Sequence, residues 1–213
     1  MTVTDTCLHP YPEGNSSTRR MALGAAALGF DSIVVPDAQY REYYGVRIIP
    51  AILIAEPNPR VVSGLVRTNR EERALVLVNA GENGFNRAIL NLKGIHILRH
   101  IHKTRKNSFD HVSARLAAER GIAVDIDLYP VIHSTGLSRQ RVLRRYHDLI
   151  TLFERYRFPL TMSSNAYSIL DLRSVEEICL LSELFNMEEE DVHAALGTVG
   201  SLMNTEGPVT VIS

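Results

Sequence analysis

A chain of 213 residues, 45% of them hydrophobic, can bury a large core and has the length of one barrel-sized domain, so we take residues 1–213 as a single domain. Two cysteines give no disulfide framework, and we find neither a membrane-spanning apolar run nor a signal sequence, which predicts a cytoplasmic protein without membrane contact. The net charge of −1 hides a division, since residues 92–157 carry thirteen basic and six acidic side chains, whereas residues 158–213 carry one basic and nine acidic ones.

Short β-branched runs alternate with amphipathic stretches along the chain, a pattern typical of a parallel sheet wrapped by helices. The predicted strands span residues 3–7, 32–35, 47–54, 75–78, 95–98, 122–127, 160–162 and 209–212. The predicted helices span residues 18–28, 59–69, 83–92, 109–120, 138–156, 174–185 and 188–196. This order predicts an α/β fold, a compact TIM-like barrel of seven or eight mostly parallel strands with outer helices. The connection between residues 35 and 45 is too short for a full helix, and we expect the barrel to be distorted there.

The first predicted strand carries three possible metal ligands, Asp5, Cys7 and His9, at alternate positions that share one face. The order Asp-x-Cys-x-His resembles the opening Asp-x-His-x-His of the polymerase-and-histidinol-phosphatase family of metal-dependent phosphoesterases, with Cys7 in place of the first histidine. Those enzymes need further ligands on later strands, where this chain offers Asp125 and Asp127. Because this set is incomplete, the three residues are weak metal candidates, and the other interpretation is a remnant of the floor or rim of the barrel.

A basic segment follows the predicted strand at residues 95–98 and leads into the next helix. It contains Arg99, His102, Lys103, Arg105 and Lys106. Cations repel a metal ion, so we interpret the segment as a phosphate-binding loop rather than a histidine metal site. An ordinary basic strand exit is the simpler alternative.

The helix predicted at residues 109–120 continues this surface. Ser108 is the predicted N-cap, and Gly121 supplies a left-handed exit into the next strand. His111 and Arg115 lie one turn apart beside the apolar stripe, so they share a patch with the basic loop. A surface histidine and arginine on an ordinary helix is the alternative.

The longest predicted helix, residues 138–156 with Ser138 as its cap, has a basic beginning. Its first two turns carry Arg139, Arg141, Arg144 and Arg145. Cations at the positive end of a helix dipole cost stability, which an arriving anion or nearby acids from another element would relieve. Together with the charge division, this placement predicts one surface suited to phosphate and a second, acidic surface suited to another partner, although solvated helix faces would give the same pattern.

Several ordered motifs carry a family resemblance. The run FDHVSARLAAERGIAVDIDL at residues 109–128, then FPLTMSSNA and DLRSVEEI, resemble the archaeal ribonuclease P protein component 3. That family is the homologue of the thirty-kilodalton protein subunit of eukaryotic ribonuclease P. The resemblance covers roughly residues 44–196 and is strongest over 109–178. It implies a barrel-like α/β fold and a protein subunit of the RNA-based endoribonuclease that removes the 5′ leader of precursor tRNA.

The resemblance also implies which subunit of ribonuclease P is catalytic. The RNA subunit performs the hydrolysis with magnesium ions, while this chain binds no cofactor and supplies no catalytic residue. The implied partners are the ribonuclease P RNA and other protein subunits, especially a small partner subunit. The acidic run MEEEDVHAALG at residues 187–197 is either a solvated helix face or a site for such a basic partner.

Two further arginines, Arg87 and Arg173, match basic positions of that family, and we carry them over as RNA contacts; for Arg173, an intrachain salt bridge is the alternative. The predicted RNA-binding residues are therefore Arg87, Arg99, His102, Lys103, Arg105, Lys106, His111, Arg115 and Arg173, with the four arginines of the long helix less secure. Two other functions stay open at this point, a metal-dependent phosphoesterase and a scaffold barrel that binds only proteins.

Overall fold

Parallel strands form one sheet in the computed structural model, which describes residues 2–68, 74–105 and 107–204. The strands are β1 (Thr4–Asp5), β2 (Ser32–Pro36), β3 (Arg41–Tyr43), β4 (Val46–Ile54), β5 (Leu75–Asn79), β6 (Ile97–Arg99), β7 (Ala123–Asp127) and β8 (Leu160–Ser163). Their order is β1-β2-β4-β5-β6-β7-β8, with β3 antiparallel on β4. The Thr6 amide donates to the Met162 carbonyl at 3.0 Å, and Leu8 bridges Ala166, so β1 and β8 meet and close the barrel.

Helices connect the parallel strands and cover the outside of the barrel. They are α1 (Thr18–Ala27), α2 (Pro59–Thr68), α3 (Asn83–Leu90), α4 (His111–Arg120), α5 (Tyr129–His133), α6 (Gly136–Tyr156), α7 (Val175–Ser182) and α8 (Glu189–Asn204). Three 3-10 turns lie at Ile101–Lys103, Ile169–Asp171 and Glu183–Phe185. Among the described helices, none is both long and apolar enough to span a bilayer.

The predicted TIM-like barrel is confirmed, and seven of the eight predicted strands are present. The expected distortion between residues 35 and 45 is a hairpin, in which β3 turns through Tyr44 and Gly45, at φ 55° and 79°, into β4. β2 and β4 are parallel, and β3 with its tight glycine turn connects them in place of the usual helix. The predicted strand at residues 209–212 lies outside the described residues.

Two predicted helix caps are wrong. Asp110, not Ser108, caps α4, because its carboxylate accepts from the Ser113 amide at 3.0 Å. Ser108 is buried in the preceding turn. Ser138 lies inside α6, which begins two residues earlier at Gly136.

The interior of the barrel is apolar at the amino-terminal ends of the strands. One buried cluster collects Val34, Ile49, Ala51, Leu75, Leu77, Ile97 and Ala123 from the strands with Val199 and Leu202 from α8, and Cys7, which follows β1, borders it on the side of the carboxyl-terminal ends. The last turns of α8, which the sequence predicted to end at residue 196, therefore close this end of the barrel. Burying each valine, leucine or isoleucine side chain of this cluster contributes about 1.5–3 kcal/mol before entropy is counted.

Candidate nucleic-acid interface

Polar side chains fill the opposite, carboxyl-terminal end of the barrel, which we call the mouth. The buried ones are Asp5, His9, Arg99, Asp125, Asp127, Ser163 and Asn165. Sites of α/β barrels form at this end because the strand-to-helix loops meet there. The mouth is therefore the expected position of a catalytic or binding site.

Arg99 lies inside the mouth with none of its surface exposed. Its guanidinium donates from Nη1 to the Cys7 sulfur at 3.1 Å and from Nη2 to Oδ1 of Asn165 at 2.7 Å. The prediction that Arg99 belongs to an exposed phosphate-binding loop is therefore wrong. β6 extends to Arg99, and because strand side chains alternate, Arg99 faces the same interior as Ile97. That alternation was readable in the sequence.

The three metal candidates of the first strand are each bonded inside the protein. Oδ1 of Asp5 accepts from the amides of Ser164 and Cys7, at 3.0 and 3.3 Å. His9 uses both ring nitrogens, with Nδ1 2.7 Å from a Glu13 oxygen and Nε2 2.6 Å from Oδ1 of Asn165. With a guanidinium on the Cys7 sulfur as well, these residues do not fit a metal ion.

Burial raises the pKa values of three acidic groups in the mouth. Burial raises the pKa of Asp5 to about 7 and that of the Cys7 thiol to about 12, the latter although Arg99 opposes it. Burial and the neighbouring Asp125 raise the pKa of Asp127 to about 7, again against Arg99. The guanidinium of Arg99 is the internal cation that faces these acidic groups.

Tyr146 of α6 joins the end of β7 to the turn that follows β6. Its hydroxyl donates to the Asp127 carbonyl at 2.7 Å and accepts from the Asp127 amide at 3.1 Å. Since the single hydroxyl proton is already used, Nδ1 of His102, 3.0 Å from the same oxygen, carries the proton of that contact. Burial, with Lys103 and Arg99 nearby, lowers the pKa of His102 to about 3. His102, predicted as an RNA contact, is therefore neutral near pH 7 and adds no charge to the surface.

The segment between β6 and α4 is held against its neighbours by backbone contacts that the sequence analysis missed. The side-chain Nδ2 of Asn86, which is buried in α3, donates to the Ser108 carbonyl at 2.8 Å. From the other side, Nη2 of Arg145 donates to the Arg105 carbonyl at 2.6 Å. The segment is thus fixed between α3 and α6, with its cations at the edge of the mouth. Lys106 lies outside the described residues.

Five of the predicted RNA-binding residues lie on α3, on the segment after β6 and on α4, and we call them the rim surface. They are Arg87, Lys103, Arg105, His111 and Arg115. Lys103, Arg105, His111 and Arg115 are exposed, and Arg87 is half-buried. They project from α3, from the segment after β6 and from α4, which the contacts of Asn86 and Asp110 hold side by side.

Acidic neighbours accompany three of these cations, so the rim surface is not purely basic. Arg87 binds Asp110, and although burial opposes it, the bonds from the Ser113 amide and Arg87 lower the pKa of Asp110 to about 2. Arg115 pairs with Glu119 at 2.9 Å. Arg105 lies 3.7 Å from an oxygen of Glu82. Exposed pairs contribute only about 0–1 kcal/mol, so an arriving phosphate can compete for these arginines.

The predicted cations after β8 and on α6 are not part of the rim surface. Arg173 donates to the carbonyls of Leu170 and Leu172, at 2.9 and 2.7 Å, after β8. Since the loop after β7 stands between the loops after β6 and β8, Arg173 does not adjoin the rim surface. On α6, Arg141 and Arg144 are exposed, whereas Arg139 and Arg145 are half-buried.

Comparison with known proteins identifies the family. The family model described as RNase P subunit p30 matches residues 2–205. The chain belongs to this family. Two curated relatives are both named Ribonuclease P protein component 3. The protein of Methanosarcina mazei is 30% identical over 92% of this chain and 85% of its own length. That of Methanothermobacter thermautotrophicus is 28% identical over 93% of this chain and 88% of its own length.

Solved structures agree on the fold of this RNase P p30 family member. A chain in the cryo-EM structure of archaeal Ribonuclease P with mature tRNA has a TM-score of 0.78 and 17% identity, covering 95% of this chain and 90% of that one. A Xaa-Pro dipeptidase has a TM-score of 0.65 and 10% identity, covering 96% of this chain and 75% of that one. The resemblance in the sequence is thus confirmed, and the protein is a subunit of ribonuclease P rather than a metal-dependent phosphoesterase.

Proposed function

We propose that this subunit is a non-catalytic part of ribonuclease P, which binds the RNA of the enzyme and stabilises its folded state. The hydrolysis belongs to the RNA, which holds the magnesium ions. The mouth of the barrel supports this division, because Arg99 occupies the place where a hydrolase of this fold would need a metal. Free thiols at Cys7 and Cys179 fit a reducing cytoplasm.

The rim surface is the proposed RNA contact, and its exposed cations on a fixed backbone are the observation that carries the proposal. Each lysine or arginine that neutralises a phosphate releases condensed counterions, so affinity should fall steeply with salt. His111 and the backbone amides at the start of α4 add hydrogen-bond donors at a positive helix end. These contacts position RNA rather than read its sequence. The other protein subunits, especially the small one, are the further partners that we propose.

Reconstitution of precursor-tRNA cleavage at low magnesium, with and without this chain, tests the proposal. We expect the RNA with its other protein subunits to need this chain at low magnesium and to need it less at high magnesium, because magnesium also screens phosphate repulsion. We expect the purified chain alone to cleave nothing. Cleavage of precursor tRNA or a model phosphoester by the chain alone with manganese or zinc would overturn the non-catalytic assignment.

A further inference from the structure

A groove of about 780 Å³ lies between α7 and α8, on the acidic part of the chain and away from the rim surface. The apolar residues that line it include Val175, Leu180 and Met187. Four carboxylates line it, from Glu176, Glu183, Glu188 and Glu189. Arg173 is the single lysine or arginine in residues 158–213, and it donates to backbone carbonyls rather than to these acids.

Three side chains of different chemistry converge in this groove. The sulfur of Cys179, a carboxylate oxygen of Glu189 and a ring nitrogen of His193 all lie within 4.8 Å of one another. Glu189 and His193 are four residues apart on α8, so they share one helix face, and Nε2 of His193 is 3.6 Å from Oε1 of Glu189. Cys179 reaches them from α7, on the facing wall.

We propose that Cys179, Glu189 and His193 form a zinc site, with water at the fourth position. Thiolate and imidazole select a borderline-soft ion over magnesium or calcium, and zinc accepts cysteine, histidine and carboxylate together. Ligands of a tetrahedral zinc ion lie about 3.3–3.8 Å apart, since each bond is about 2.0–2.3 Å. The exposed Glu189 and His193 side chains reach that spacing through small rotamer changes.

The charges of the groove favour a cation in this place. The carboxylates of Glu176, Glu183, Glu188 and Glu189 line the groove and attract a divalent ion. Zinc binding replaces the proton of the Cys179 thiol with a zinc–sulfur bond and releases that proton to solvent. Zinc brings two positive charges and displaces one proton, so the net charge of the acidic groove becomes less negative.

The site would also hold two elements of the fold together. One ligand lies on α7 and two on the first turns of α8, so a bound ion joins the helices at this end. The last turns of α8 pack into the barrel through Val199 and Leu202. Zinc should therefore stabilise the whole chain and not the groove alone.

Titration of the purified, metal-free full-length chain with zinc, and with cobalt as a spectroscopic substitute, tests the site without any RNA. We expect one ion per chain, a thiolate-to-cobalt absorption band, and a rise in Tm of roughly 5–10 °C at about 100 times the dissociation constant. The band reports on Cys179, because Cys7, the second cysteine of the chain, is fully buried.

Substitutions at the ligands distinguish this site from general metal binding by acidic side chains. Cys179→Ser should abolish the thiolate band and lower zinc affinity at least 10-fold, and His193→Gln should lower affinity similarly, both without unfolding the apo chain. Glu190→Gln removes the same charge from the next, exposed position of α8 and should leave binding unchanged. No stoichiometric binding, or equal binding by Cys179→Ser, would overturn the proposal, and neither result bears on RNA binding.

Discussion

Nη1 of Arg99 lies 3.1 Å from the sulfur of Cys7, inside the mouth of a barrel whose first strand resembles that of metal-dependent phosphoesterases. The guanidinium places a fixed positive charge among carboxylates, and Asp125 and Asp127 both favour it electrostatically. A fixed internal cation needs no exchange with solvent and offers no open coordination position. The mouth therefore holds an internal charge network, and we propose that RNA binds at the rim surface around it.

Arg99→Met should destabilise the protein by about 3–5 kcal/mol, because it leaves the neighbouring buried carboxylates without their counter-charge. Urea unfolding measures this loss. The RNA affinity of the folded variant and its salt dependence should stay at the wild-type values. Lys103→Met is the matched surface control, with nearly unchanged stability but weaker RNA binding. A reduced salt slope in Arg99→Met with stability intact would return Arg99 to the RNA contacts.

Asp5→Asn should become more stable relative to wild type as the pH rises. Burial raises the pKa of Asp5 from 3.8 to about 7, so the folded chain holds a proton there that the unfolded chain has lost. The contribution of Asp5 to stability is complete below pH 3.8 and disappears as the pH rises through 7, whereas asparagine does not titrate. The difference in unfolding free energy should therefore shift by roughly 2–4 kcal/mol between pH 5 and pH 8. A difference that is constant with pH would mean that Asp5 is ionised throughout.

Much of the fold could be predicted because hydrophobic periodicity and strand length specify alternating elements. The helix caps and the short exposed strand were harder to predict from the sequence. Ser108 and Asp110 are equally good cap residues, and which one caps α4 depends on the packing of the segment before it. The strand at Arg41–Tyr43 is largely exposed, so it carries no apolar alternation that a sequence could display.

The candidate site was only partly predictable. A cluster of basic residues in sequence located the rim surface, but charge counts do not tell which cations are buried or paired. The pairing of Arg87 with Asp110 depends on how α3 packs on α4, across 23 residues of chain. The inward direction of Arg99 follows from strand alternation and required only the correct end of β6.

The double variant Lys103→Ala with Arg115→Ala should weaken RNA binding and flatten its salt dependence. Each lost phosphate contact reduces the slope of log K against log salt by about 0.7–0.9, so two contacts reduce it by roughly 1.5. Stability should change by less than about 1 kcal/mol, since both side chains are exposed. Filter binding or anisotropy at several salt concentrations gives the slope.

A charge-matched double variant tests whether position or net charge matters in that experiment. Arg67→Ala with Lys93→Ala removes one arginine and one lysine at the amino-terminal end of the barrel, where both residues are exposed. We expect this pair to leave the RNA salt slope nearly unchanged. Equal loss in both double variants would remove the rim surface as the specific contact.

Asp110→Asn should tighten RNA binding. Asparagine caps a helix as well as aspartate does, so α4 keeps its first turn, while the charge that binds Arg87 is removed. The guanidinium then faces phosphate alone, and the salt slope should steepen by up to about 0.9. Asp191→Asn is the control, since it releases Arg157 at the far end of α6 and should leave RNA affinity as it was. Weaker binding by Asp110→Asn would instead mean that Asp110 positions Arg87 for the RNA, and unchanged binding would exclude Arg87 from the contact.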